Sequence, residues 1–147
     1  ADDWGAQNGL MISKEMWIEF IKPRFKKICQ AAKKKNLLVS HHSCGKVQEL
    51  IPEMIDCGVD VFDPFQPETM DIFKLKKEYA GKMAFWGGLS VQKTLPYGTP
   101  MDVEKESIKL LNELAPGGGY IFSPSHSLTG DIPPENIDAF LKIANKQ

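Results

Sequence analysis

At 147 residues, with 42 % apolar residues, the chain is long enough for one ordinary domain with its own core. Eighteen basic residues against nineteen acidic ones leave a net charge of -1, which argues against a broad nucleic-acid-binding face; Lys33–Lys35 reads as a solvated helix end. No apolar run is long enough to span a bilayer and the start does not resemble a signal peptide, so the expectation is a cytoplasmic protein without a membrane or nucleic-acid partner. Cys29, Cys44 and Cys57 are odd in number and widely spaced, a poor disulfide framework that fits a reducing compartment.

In chain order, apolar residues from Met16 to Ala32 recur at helical spacing, which predicts a long helix over Ser13–Lys35 with Ser13 as N-cap, Glu15 in the first turn and a kink at Pro23. Leu37–Ser40 follows as a short buried strand, Val47–Ile55 as a helix ended by Gly58, and Val59–Phe62 as the next strand. Met70–Tyr79 is helical and closed by Gly81; Met83–Trp86 is a strand covered on both sides, followed by a Trp86-Gly87-Gly88 turn. A loop with Pro96, Gly98 and Pro100 leads to a helix over Met101–Leu114. Gly117–Gly119 turn into a strand at Tyr120–Phe122, and a last helix runs from Pro134 to Ala144 with proline in its first turn.

Four strands alternating with helices predict an α/β fold with a parallel sheet, either doubly wound or part of a (β/α)8 barrel. No G-x-G-x-x-G follows the first strand, which weakens the dinucleotide-binding alternative. In a barrel the active site lies at the C-terminal ends of the strands. His41, His42 and Cys44 follow the first strand here, Asp63 and Gln66 the second, and Ser123, Ser125 and His126 the fourth. Residues two apart on an extended strand share a face, so Ser40, His42 and Cys44 point together and His41 points away. An imidazole beside a thiolate makes a pair of zinc ligands, and a catalytic zinc takes three protein ligands plus an open position. His-x-Cys alone is a weak motif, and its spacing fits a small buried cysteine and a histidine bonded to a loop carbonyl better than it fits a metal site. Asp63, next to Pro64, could be a turn residue; Trp4, Trp17 and Trp86 read as core or rim packing.

The stretches DDWGAQNGLMIS, SHHSCGKVQELIPEMIDCGVDVFDPFQPE, FWGGLSVQKTLPYGTP and GGGYIFSPSHSLTGDIPPENI, in this order, resemble the C-terminal half of the uroporphyrinogen decarboxylase superfamily. The resemblance covers nearly all of residues 1–147. It implies a partial (β/α)8 TIM barrel, strands five to eight with their helices, with Ala1-Asp2-Asp3 as the rim loop after a preceding strand. Two chemistries are implied. Decarboxylases of porphyrin biosynthesis resemble the chain at Ser125–Leu128, Asp131, Pro133 and Asn136, which makes His126 a polar catalytic group over a small-molecule substrate, with no cofactor; Asp63, placed by its position after the second strand, is a weaker catalytic candidate. Corrinoid-dependent methyltransferases hold zinc with a His-x-Cys pair after the fifth strand and a cysteine after the eighth. His42 and Cys44 match that pair, while His126 or Ser125 stands at the third position, a departure from the pattern. The pair favours zinc-assisted methyl transfer with a corrinoid protein as partner. A third expectation is that an isolated half barrel is inert or pairs with itself, with Leu38, Val61 and Phe85 flanking its open interior.

Overall fold

The computed structural model describes residues 2–146, so Ala1 of the expected rim loop lies outside the described residues. A two-stranded antiparallel hairpin, β1 (Gly5–Ala6) and β2 (Gly9–Leu10), opens the chain. A helical segment follows as α1 (Lys14–Met16), a π-helical turn (Trp17–Ile21) and α2 (Lys22–Lys33). Ser13 caps it, its hydroxyl accepting from the Met16 amide at 3.2 Å. The expected kink is instead the wide turn immediately before Pro23, which places the residue lacking an N–H in the first turn of α2, where no donor is required.

The remaining elements are β3 (Ser40–His42), a 3-10 turn (Gln48–Leu50), α3 (Ile51–Cys57), β4 (Val61–Phe65), α4 (Ile72–Glu78), β5 (Ala84–Leu89), α5 (Thr94–Tyr97), α6 (Pro100–Leu114), β6 (Tyr120–Pro124) and α7 (Pro134–Ala144). Strands β3 to β6 form one parallel sheet in sequential order, with His42 opposite Asp63, Phe62 opposite Phe85 and Gly88 opposite Ser123. Sequential parallel strands, each followed by helix, are the wall of a (β/α) barrel. No described helix is long and apolar enough to cross a membrane.

One face of the sheet is covered by the helices. His41, Phe62, Phe65 and Phe85 point into that layer and meet Leu50, Ile51, Met54, Leu110 and Leu114 in the core. The alternate residues Ser40, His42, Val61, Asp63, Trp86 and Ile121 lie on the other face, where Trp86 and Ile121 stay 41 % and 43 % exposed. Phe85 therefore departs from the expectation that it flanks the open interior: it is fully buried, stacked on Phe65 at 4.3 Å.

The strand boundaries differ from the sequence reading, and the fourth strand runs on to Pro124. The first parallel strand begins at Ser40 instead of Leu37, and Leu38 is 80 % exposed. The Val39 amide is taken at 2.7 Å by the Asp60 carboxylate, a side chain from the next unit, so the ladder starts beyond it. The second strand likewise starts at Val61 and runs through Asp63 to Phe65, including a cis Asp63–Pro64 bond. The expected Trp86-Gly87-Gly88 turn is strand. Gly87 and Gly88 keep the ladder at φ of 127° and 102°, and a Cβ at Gly88 would lie 2.6 Å from the Tyr120 hydroxyl. The β1–β2 hairpin and α5 were not legible at all.

Candidate metal centre

Strand alternation is what sorts the two adjacent histidines. His41 turns into the core, stacked on Trp4 at 4.1 Å and edge-on to Phe25 at 4.8 Å, and burial pushes its pKa down to about 4. His42 turns to the open face, where its Nδ1 lies 2.7 Å from the Asp63 carboxylate on the neighbouring strand. An ionised carboxylate only accepts, so Nδ1 carries the proton and the Nε2 lone pair is left free. Nε2 points at the Cys44 sulfur, 3.3 Å away. Asp63 is thus a partner of His42, not a turn residue.

After β3 the chain turns through Ser43–Lys46, and this loop is fixed from two sides. The Ser43 hydroxyl accepts from the Trp4 amide at 2.9 Å, and the Lys46 amide donates to the Ala6 carbonyl at 2.8 Å. From β4's far end the Gln66 side chain accepts from the Gly45 amide at 3.3 Å. Cys44 is thereby held half-buried, its thiol pKa raised by burial and by the Asp3 and Asp63 carboxylates near it.

From the loop after β6, His126 completes the cluster. Its ring centroid lies 5.9 Å from that of His42, and ligating atoms of His42, Cys44 and His126 all lie within 4.8 Å of one another. Ser125, the other residue at the expected third position, is buried. Tetrahedral zinc with ordinary Zn–N and Zn–S bonds needs ligand atoms roughly 3.4 to 3.6 Å apart. The His42–Cys44 separation of 3.3 Å is close to that spacing, and the exposed His126 side chain would supply the third atom by a change of rotamer. The donor set also fits: one soft thiolate and two imidazoles, one of them braced by a carboxylate, are characteristic zinc ligands.

The three-residue cluster borders a cavity of about 400 Å³ lined by His42, Asp63, Trp86, Ser123, Pro124, His126, Ser127, Leu128 and Phe140. Sequence reasoning placed His42, Asp63, Trp86, Ser123 and His126 on this rim. It missed Leu128 and Phe140 as apolar walls, and it missed Asp3, whose carboxylate accepts from the Cys44 amide at 2.8 Å. The acidic pair at the expected rim loop was the available signal.

Comparison with known proteins agrees with this architecture. The family model described as uroporphyrinogen decarboxylase matches residues 2–147. A uroporphyrinogen decarboxylase of Vesicomyosocius okutanii is 33 % identical over 69 residues, covering 47 % of this chain and 19 % of that protein. One from Chlorobium phaeobacteroides is 25 % identical over 153 residues, covering 99 % of this chain and 40 % of that protein. The chain thus spans two fifths or less of the length of these two relatives. Among solved structures, a methyltransferase from Methanosarcina mazei shares the fold with a TM-score of 0.74 at 21 % identity, over 92 % of this chain and 38 % of that one. With the match extending from Asp2 to the last residue, the chain belongs to the uroporphyrinogen decarboxylase family.

Proposed function

We propose that His42, Cys44 and His126 hold a zinc ion at which a small-molecule thiol is activated to exchange a methyl group with a corrinoid carried by a partner protein. The observation that carries this reading is the braced pair: His42 Nε2 faces the Cys44 sulfur at 3.3 Å while Asp63 holds the opposite ring nitrogen at 2.7 Å. When bound, zinc would supply Lewis acidity that lowers the pKa of a coordinated thiol or water. Asp63 fixes the His42 tautomer and ring direction. Cys44 gives up its thiol proton on ligation, and the pinned Ser43–Lys46 loop keeps its sulfur in place. Trp86, Leu128 and Phe140 supply apolar walls beside the centre. A corrinoid on the partner would supply the methyl group as a cation equivalent, keeping the bonding pair, and the thiol proton would leave to solvent as the sulfur is methylated.

The family's description and the names of its curated relatives favour a second reading, decarboxylation of a porphyrinogen, with His126 and Asp63 as the polar groups over the substrate. That reading leaves the Cys44–His42 contact without a task. Methylcobalamin and 2-mercaptoethanol, incubated with the zinc-loaded protein, separate the two. Loss of the cobalt–methyl absorbance with formation of the methyl thioether, abolished in Cys44→Ala, is the expected result. Decarboxylation of uroporphyrinogen that is indifferent to Cys44→Ala would contradict it.

A further inference from the structure

Charge is unevenly placed along the chain. Residues 20–36 carry seven basic side chains and no acidic one, which leaves eleven basic against nineteen acidic residues elsewhere. Three of the seven turn toward α3 and the start of β4: Lys22 pairs with Glu53 at 2.5 Å and Asp56 at 2.9 Å, Lys26 with Asp56 at 2.9 Å, and Lys33 with Asp60. Arg24, Lys27, Lys34 and Lys35 are exposed and form no ion pair among the described residues. Phe20, Arg24, Lys27, Ile28, Ala31 and Lys34 recur at helical spacing, so these cations share one outer strip with Phe20 and Ile28, which are 50 % and 69 % exposed. The last helix carries the complement. On α7, Glu135, Asp138, Leu141 and Lys142 are exposed at the same spacing, and the two carboxylates form no ion pair among the described residues. The two helices flank opposite edges of the sheet, α2 leading into β3 and α7 following β6. Helices joined to parallel strands in this way run against them, so α2 and α7 point in the same direction.

We infer that α2 of one copy of this chain docks on α7 of a second copy, and that two such seams hold a two-fold dimer together. Turning the uncovered sheet faces of two copies toward each other, about an axis along the strands, sets the β3 side of each beside the β6 side of the other. The helices stay parallel across each seam. In that register Glu135 and Asp138 of one copy lie beside Arg24 and Lys27 of the other, Leu141 beside Ile28, and Lys142 beside the small Ala31. The apolar residues supply contact area. The charges choose which helix faces which, because an α2–α2 or α7–α7 pairing would set like charges together. Both halves of the complement lie on this chain, which favours a second copy over any other anionic surface for the basic strip. His42, Asp63 and Trp86 of both copies then face one shared interior. The inference does not depend on a metal at that site.

Charge reversal tests the seam. Two double variants are compared, Arg24→Glu with Lys27→Glu and Glu135→Lys with Asp138→Lys; all four side chains are exposed, so the core is untouched, which circular dichroism checks. By sedimentation equilibrium at low ionic strength, each variant alone is expected to dimerise about a hundredfold more weakly or worse, with like charges opposed at both seams. Mixed in equal amounts, the two variants have complementary seams again and should recover the dimer to near the wild-type level. Rising salt should weaken the wild-type dimer, whereas purely apolar pairing would hold or strengthen. Variants that self-associate like the wild type, or a mixture that stays monomeric, would overturn the inference. So would a wild-type dimer that salt leaves unchanged or tightens, a result that needs no variant, or a wild-type monomer that instead binds vesicles of anionic phospholipid.

Discussion

The hydrogen bond from His42 Nδ1 to Asp63 sets what the centre can do, because it leaves one lone pair, Nε2, aimed at Cys44. Asp63→Asn removes the anionic acceptor and lets the ring rotate or change tautomer. Zinc affinity, measured by competition with a chromophoric chelator, is expected to fall 10- to 100-fold. Its neighbour in sequence behaves in the opposite way. His41 is a core residue, so His41→Ala is expected to cost on the order of 2 to 4 kcal/mol of stability through the space left against Trp4 and Phe25, with zinc stoichiometry unchanged. Its folded pKa of about 4 lies below the ordinary 6.5, so the stability it contributes is complete above pH 6.5. That contribution is lost as pH falls toward 4, over which the metal-free protein should lose roughly 3 kcal/mol in urea unfolding. His41→Phe should flatten that part of the profile; an unchanged slope would show that His41 does not carry it. The opposite facing of these two histidines was legible from strand alternation alone. For Asp3 the acidic pair marked a rim position, but its partner Cys44 lies 41 positions away and no local pattern names it.

Among the elements, the β1–β2 hairpin has the least core of its own, and its position depends on the close approach of Gly5 and Gly45. Gly45 also has φ of 83°, a region costing a residue with a Cβ about 1 to 2 kcal/mol. In Gly45→Ala the hairpin should lift from the Ser43–Lys46 loop. The Met11 and Lys46 amides, which donate to Trp4 and Ala6, are then expected to lose hydrogen-exchange protection while the amides of β4 and β5 retain theirs. Helix limits were readable where the stop or start chemistry is local: the Ser13 cap, Gly58 in the left-handed conformation after α3, Pro134 opening α7. Strand limits were not, because they are fixed across the sheet. Asp60 takes the Val39 amide and delays β3, and Phe65 and Tyr120 crowd β5 so closely that glycine with positive φ continues the strand.

For the molecule as a whole, the uncovered sheet face decides behaviour in solution. Leu38, Trp86 and Ile121 are exposed on or beside it, and β3 and β6 form its edges among the described residues. Burying each such side chain is worth roughly 1.5 to 3 kcal/mol, against a net stability of about 5 to 15 kcal/mol for a domain. A second copy of this chain covers both the apolar face and an edge, so the protein is expected to sediment as a dimer at micromolar concentration. A compact monomer whose unfolding is independent of concentration would contradict that. Sequence reasoning reached the parallel sheet and the shared rim through the order of elements, but assigned Phe85 to the open side, because the continuous apolar run Met83–Trp86 carries no alternation that tells one face from the other; its register opposite Phe62 turns it into the core. The central claim, that His42, Cys44 and His126 form one metal centre, is tested most directly by equilibrium dialysis of the purified chain against zinc with elemental analysis. One zinc per chain, lost in each of His42→Ala, Cys44→Ala and His126→Ala and retained in His41→Ala, is the predicted result; a stoichiometry unaffected by the Cys44 and His42 substitutions would contradict it.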